Sequence, residues 1–341
     1  MHKIIRKMQG FLPDNPILEE FVRKKMKLEP LGHFKVLGVP GGVSSDIIRI
    51  IREDGTSIIV KRALPQLKVK YDWFASENRS FNEVKAIGMV SAQFPGYVPK
   101  LVFYDNEFPI FAMDYVEGKN WKSDLINGNI DYTIAKKLGQ FLSSLHNSSY
   151  YNNRWLGEFR DKTLFLELRI SPYFEAMKPS YPLLEKDIDQ VISILVNQDK
   201  VLVHGDFSPK NVIVRKDKSI CVLDWEVAHA GNPAFDVAFM LSHLFLKTIH
   251  FRNDSLSYEN LATKFYKSYC NHSEIVCEKD VSPDVSKITG ALILARVDGK
   301  SPVEYLSDSE KEITRKCGIK LIRGSMKTIE EFNDILSGCY D

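Results

Sequence analysis

The chain carries His204-Gly205-Asp206 with Asn211 in the same polar loop, and Asp224-Trp225-Glu226 shortly beyond. Asp206, Asn211 and Asp224 are hard oxygen donors. They suit Mg²⁺, which keeps several waters and takes one or two carboxylates together with substrate phosphates. Charge divides the work among them: Asn211 and Asp224 would hold the metal, while Asp206 would orient an attacking hydroxyl and accept its proton. Any one of the three alone is more often a turn or cap residue, since Asp and Asn favour loops. Three together, with His204 and Asp236 alongside, point to a metal–triphosphate site.

Such residues need strands to deliver them to one edge. Short apolar runs at residues 201–203, 212–214 and 220–223 are expected to be those strands. Asp206 and Asn211 lie between the first two, and Asp224 closes the third. Phe207, Val212, Val214 and Trp225 are expected to wall the site and exclude water, which strengthens electrostatic stabilisation.

Upstream, residues 34–37, 47–52 and 57–61 read as strands, with Asp54-Gly55 marking a hairpin between the last two. The loop Gly41-Gly42-Val43-Ser44 could bring backbone N–H groups close to phosphate oxygens because glycine has no Cβ. Alone, such a loop is more often a wide turn. Lys61 ends a β-branched run. By itself it reads as a solvated strand end, but a buried lysine needs a carboxylate. A helix expected over residues 80–90 offers Glu83, and Glu77 is a second candidate. Strands at residues 101–104 and 110–113 complete a five-stranded sheet with one helix. An extended segment at residues 113–118, containing Asp114, Tyr115 and Val116, links it to a helical second part.

Helical stripes are expected over residues 16–29, where Asn15 and Pro16 form a start signal, and over residues 132–148, 183–196 and 234–250. The chain from Tyr258 on reads as mainly helical. His146, at the end of one of these stripes, is read as a structural polar contact. The string from Ala295 to Ser301 imitates the end of a phosphate-binding P-loop, but Leu294 stands where that motif requires glycine.

The string from His204 through Asn211 to Asp224-Trp225-Glu226 resembles the aminoglycoside phosphotransferase and choline kinase-like branch of the protein-kinase-like superfamily. The resemblance extends over Gly41–Ser44, Lys61, Glu83, the linker and Asn232-Pro233 with Asp236, in the same order. It implies an α+β, two-lobed protein-kinase-like fold. A small lobe (residues 1–114, with the N-terminal helix) would hold a five-stranded antiparallel sheet plus a helix, and residues 115–341 a larger, mainly helical lobe. It implies transfer of a γ-phosphoryl group from ATP, or from GTP, to a small-molecule hydroxyl with Mg²⁺. By it, Gly41, Gly42, Val43 and Ser44 cover the phosphates, and Lys61, held by Glu83, contacts them. The backbone of Asp114, Tyr115 and Val116 meets the base. Asp206 is the catalytic Asp, Asn211 and Asp224 are the metal ligands, and His204 and Asp236 support the loop. Gly205 stands where protein kinases carry Arg, and Asp236 follows Asp224 too closely for a long activation segment, so protein substrates are not expected. Ser45 stands where relatives often have Asn.

Bulk properties agree with such a class. With 341 residues, 44% hydrophobic and 26% charged, the chain suits a folded protein of about two domains. A net charge of +2 gives no footprint for nucleic acid or membrane. The basic opening residues lack a long apolar core, so no secretory signal is expected. Asp236 and His243 interrupt the longest apolar stretch. Five cysteines without metal-type spacing fit free thiols and a cytoplasmic location. The scattered histidines His204, His229, His243 and His250 disfavour a metal-dependent hydrolase. A catalytically weak, pseudokinase-like nucleotide-binding module is the alternative, and the presence of Lys61, Asp206, Asn211 and Asp224 together speaks against it. The acceptor is the open question. Residues 295–341 are nearly balanced in charge, which gives no support for a polycationic aminoglycoside. Residues 62–68 look like what methylthioribose kinase-type relatives carry, and the Asp224-Trp225-Glu226 triplet is shared with relatives fused to acyl-CoA dehydrogenases. Sugars, amino sugars and amino alcohols remain in view.

Overall fold

A computed structural model describes residue 24 and residues 34–39, 42–69, 72–275, 282–324 and 326–340. The helix expected over residues 16–29, residue 24 apart, and Gly41 of the glycine loop lie outside the described residues. The chain forms two compact units, Met1–Glu117 and Gly118–Asp341.

In the first unit, β1 (Phe34–Gly38), β2 (Ser45–Arg52), β3 (Ser57–Ala63), β4 (Leu101–Tyr104) and β5 (Ile110–Asp114) form an antiparallel sheet in the order β1-β2-β3-β5-β4. Two-residue alternation sorts its faces. Ile48, Ile50, Ile58, Val60, Ile110 and Ala112 build one apolar layer. Lys61 is one residue out of phase with Val60 and pairs with Phe111, so it belongs to the opposite face. Helix α1 (Arg79–Gln93) packs there, burying Arg79, Ser80, Glu83, Ala86, Ile87 and Val90, which recur at helical spacing. The first unit continues past Asp114 because Tyr115 N–H still donates to the Ser57 carbonyl at 3.1 Å and the Arg49 guanidinium lies 3.7 Å over the Tyr115 ring.

The second unit is mainly helical. Its strands are short: β6 (Lys119–Asn120), β8 (Val212–Val214) and β9 (Ile220–Val222) form one sheet, and β7 (Val201–Val203) pairs with β10 (His229–Gly231). Around them lie α2 (Trp121–Ile126), α3 (Tyr132–Ser149), α4 (Asn153–Glu158), a π-helix (Leu166–Glu175), α5 (Glu185–Val196), α6 (Ala234–His250), α7 (Ser255–His272), α8 (Pro283–Asp298), α9 (Asp308–Arg323) and α10 (Glu331–Tyr340). Helix α6 is buried over nearly its whole length and packs against α7 and α8. A helix apolar on all sides has to be central. The P-loop-like string falls across the end of α8, in agreement with its rejection. Among the described residues, no helix is long and apolar enough to cross a membrane, and Cys221, Cys317 and Cys339 are free.

Candidate active site

The loop between β7 and β8 is held by its own backbone before any substrate is considered. Asp236, on the first turn of α6, is fully buried and accepts the His204 N–H at 2.7 Å on one oxygen and the Gly205 N–H at 3.0 Å on the other. Burial pushes its pKa up, but the His146 contact at 3.4 Å and the loop's own groups outweigh that and hold it below the usual carboxylate value. His146 is anchored in turn by Tyr269 at 2.9 Å, so it acts as the structural contact expected of it. Gly205 has a φ of +80°, and a Cβ there would meet the Val227 carbonyl at 2.6 Å. Only glycine fits this turn, which accounts for the missing arginine in physical terms.

His204 is a buried bridge. The Asp206 N–H donates to its Nδ1 at 3.1 Å, and its Nε2–H donates to the Leu223 carbonyl at 3.0 Å. Those partners fix the neutral tautomer, and burial lowers its pKa. The bridge spans from the loop to the residue before Asp224. The Leu223 N–H donates to the Asn211 carbonyl at 2.8 Å, which adds a second tie between the same two segments. Asp224 has a φ of +66°, a left-handed conformation more accessible to Asp than to most residues and common where a site stores strain.

Asp206 is buried, and its two oxygens differ. Oδ2 receives the Arg169 guanidinium at 3.2 Å, the Lys210 ammonium at 2.8 Å and the Asn211 amide at 2.9 Å. Oδ1 is buried without a hydrogen-bond partner. The Asn211 amide nitrogen also donates to the Asp206 carbonyl at 3.0 Å, which turns the Asn211 oxygen away from Asp206 and frees it as a ligand. Asn211 and Asp224 therefore present oxygen donors of the kind Mg²⁺ takes.

Arg169 was not legible in the sequence. It sits on the π-helix, donates to the Gly205 carbonyl at 2.7 Å and to the Leu168 carbonyl at 2.7 Å, and braces Asp206. Burial disfavours its charge, but Asp206 and the neighbouring acids more than restore it. A π-helix is rare and tends to mark functional sites, and Pro172 inside it disguises the helical pattern. The one clue is an arginine within a run of large apolar residues. Phe207 and Trp225 are fully buried and point into the core: Phe207 stacks on Phe141 and Phe265, and the Trp225 indole N–H donates to the Val222 carbonyl at 3.1 Å. They underpin the loop rather than wall it.

Within the first unit, the buried Lys61 ammonium meets Glu83 at 2.7 Å, so of the two carboxylates open to it, Glu83 is placed to pair. Gly42, Val43 and Ser44 lead into β2, and a Cβ on Gly42 would meet the Ser45 carbonyl at 2.4 Å. The buried Arg79 guanidinium donates to the carbonyls of Ser44, Leu64, Ala75 and Ser76, fixing the root of that loop. In the linker, the Asp114 N–H is committed to the Lys100 carbonyl at 2.9 Å and Tyr115 N–H to Ser57.

A model of the Phosphotransferase enzyme family matches residues 35–258. Methylthioribose kinase 2 of Oryza sativa subsp. japonica is 24% identical over 301 residues, covering 77% of this chain and 69% of its own length. The 4-hydroxytryptamine kinase of Psilocybe cyanescens is 25% identical over 249 residues, covering 64% of this chain and 67% of its own. Across the first three methylthioribose kinases matched, this chain spans 56% to 69% of their length. Among solved structures, an amicoumacin kinase in complex with AMP-PNP, Ca²⁺ and Ami is 13% identical with a TM-score of 0.61, covering 98% of this chain and 100% of its own, a likeness of fold.

Proposed function

The chain belongs to the Phosphotransferase enzyme family, and on that premise we propose that it transfers the γ-phosphoryl group of ATP to a hydroxyl of a small molecule. The observation that carries this reading is the asymmetry of Asp206. One oxygen is fixed by Arg169, Lys210 and Asn211, while the other is buried and unpartnered. A carboxylate so prepared can accept one hydroxyl proton and hold that hydroxyl in line, which is most of what a loose phosphoryl-transfer transition state asks of a protein.

The remaining roles follow. Asn211 and Asp224 would hold Mg²⁺, which when bound neutralises charge on the phosphates. Lys61, kept in place by Glu83, contacts the α/β-phosphates, and Gly41, Gly42, Val43 and Ser44 cover them. Two of the linker N–H groups are already donated within the sheet, so the Val116 N–H is the donor left for the base. Lys210 adds positive charge beside the attacking hydroxyl. His204 and Asp236 hold the loop.

The relatives' names point to different acceptors, a methylthioribose and a hydroxytryptamine, so they do not single out one acceptor for this chain. The test has two arms. Millimolar Mg–ATP is expected to raise the melting temperature, since binding to the folded state stabilises it by about 2.7 kcal/mol at a hundredfold excess over Kd. ADP release is then screened over sugars, amino sugars, amino alcohols and hydroxyacyl thioesters. No melting shift counts against every nucleotide-based reading. A shift with no ADP release from any acceptor leaves a binding module.

A further inference from the structure

Beside the Asp206 loop, the second unit gathers cations that the protein does not neutralise. Lys247, on α6, is 1% exposed. Its ammonium reaches the His243 carbonyl at 3.3 Å and lies 5.6 Å from the centroid of the Tyr305 ring. Among the described residues no carboxylate pairs with it. Arg296, on α8, donates from Nη1 to the Ser301 carbonyl, to the Ser301 hydroxyl at 2.8 Å and to the Tyr173 hydroxyl at 3.4 Å, but its Nε is buried with no partner. The Tyr305 hydroxyl is buried without a partner as well. Burial, then Arg296, Lys247, Lys210 and Lys122 together, hold the His243 ring well below its ordinary pKa, so that ring senses four cations.

The acids nearby are occupied. Glu310 pairs with His250 at 3.0 Å, and Asp298 takes Arg315 at 2.8 Å and the Tyr181 hydroxyl at 2.5 Å. Asp206 is held by Arg169, Lys210 and Asn211. The cluster adjoins the reacting end of the site through one ring: Tyr173 has the Arg169 guanidinium 5.7 Å from its centroid and that of Arg296 6.0 Å from it. A buried ammonium without a counter-charge is costly, and so is each orphaned donor. Burial, with Lys122 and Arg296, lowers the Lys247 pKa to about 7, which is the response of an amine waiting for a negative partner.

Resting on the phosphotransferase reading above, we propose that the phosphate acceptor carries an anionic group besides its hydroxyl, a carboxylate or a phosphate monoester, and that Lys247, Arg296 and Tyr305 bind that group while Asp206 takes the hydroxyl. An acceptor of the opposite sign, such as a polyamine-like antibiotic, would add its charges to those already crowded there.

The test uses the full chain with a non-hydrolysable ATP analogue and Mg²⁺, titrated calorimetrically with glucose, glucosamine, gluconate and glucose 6-phosphate. Either anion is expected to bind at least about tenfold more tightly than glucose or glucosamine, and Lys247→Met to abolish that preference, since a desolvated charge pair is worth an order of magnitude or more. Gluconate and the phosphate ester separate the two sources of negative charge. Lys247→Met is also expected to melt no lower than wild type, because it replaces a buried amine that has no carboxylate partner among the described residues by an apolar side chain of similar length; Arg296→Met provides a second variant if it does not. Equal binding of neutral, cationic and anionic compounds, binding of no anion, or an anion preference that survives both variants overturns the proposal. ADP release with a neutral acceptor alone would overturn it while leaving the kinase reading intact, whereas anion binding without ADP release from any acceptor would overturn the kinase reading and the acceptor assignment with it, leaving only an anion site at Lys247.

Discussion

At the scale of residues, the site depends on pairs in which one partner fixes the other. Arg169 is the clearest case. Its guanidinium is buried against the Gly205 carbonyl and the Asp206 carboxylate, so losing it leaves both undersatisfied. Arg169→Met is expected to lower unfolding stability by about 3 kcal/mol, the scale found when one member of a buried pair is removed. An unchanged urea midpoint and slope would show that Lys210 and Asn211 suffice to hold Asp206. Lys61 and Glu83 form the corresponding pair in the first unit, where the strand's alternation and the helix's period both point at one contact. That pair was open in the sequence only to the extent that Glu77 competed with Glu83.

At the scale of elements, short strands do positional work beyond their length. Strand β10 carries His229, whose Nδ1–H donates to the Val227 carbonyl at 2.9 Å while its ring stacks on Phe165 at 4.0 Å. Burial, opposed by that hydrogen bond, lowers its pKa to about 4. The unfolded chain takes up a proton near its ordinary value of about 6.5 and the folded chain does not, so stability is complete above that pH and falls as pH drops towards 4. The single group is worth about 3 kcal/mol at the lower end. His204 and His243 add to the same slope, because burial depresses both. His229→Gln keeps a donor and cannot titrate, so its unfolding free energy should fall less between pH 6.5 and 4.5 than that of wild type. Parallel curves would mean that His229 titrates alike in both states.

At the scale of the whole molecule, most of the architecture was open to reading because it rests on local signals. The hairpin at Asp54-Gly55, the alternation along β2 and β3, and the apolar run of α6 each declare themselves within a few residues. What stayed hidden depends on distant segments meeting. Arg79 holds carbonyls from segments far apart in the chain, and Arg169 lies on a proline-containing π-helix that no simple period describes. The basic cluster around Lys247 was hidden for a related reason. Residues 295–341 are nearly balanced in charge, yet folding sets Arg296 beside residues of α6 and the π-helix while the acids pair elsewhere. Segment composition therefore could not resolve the local field, though it agrees in giving no support for a polycationic acceptor.

The central claim is that Asp206 accepts the proton of the attacking hydroxyl and contributes little to holding the nucleotide. The direct measurement compares Asp206→Asn with wild type on the best acceptor, recording kcat by ADP release and Mg–ATP affinity by calorimetry. The account predicts a fall in kcat of about 10² to 10⁴, the range for loss of a positioned acid or base, with nucleotide affinity within a few-fold of wild type. Wild-type turnover in Asp206→Asn would contradict it.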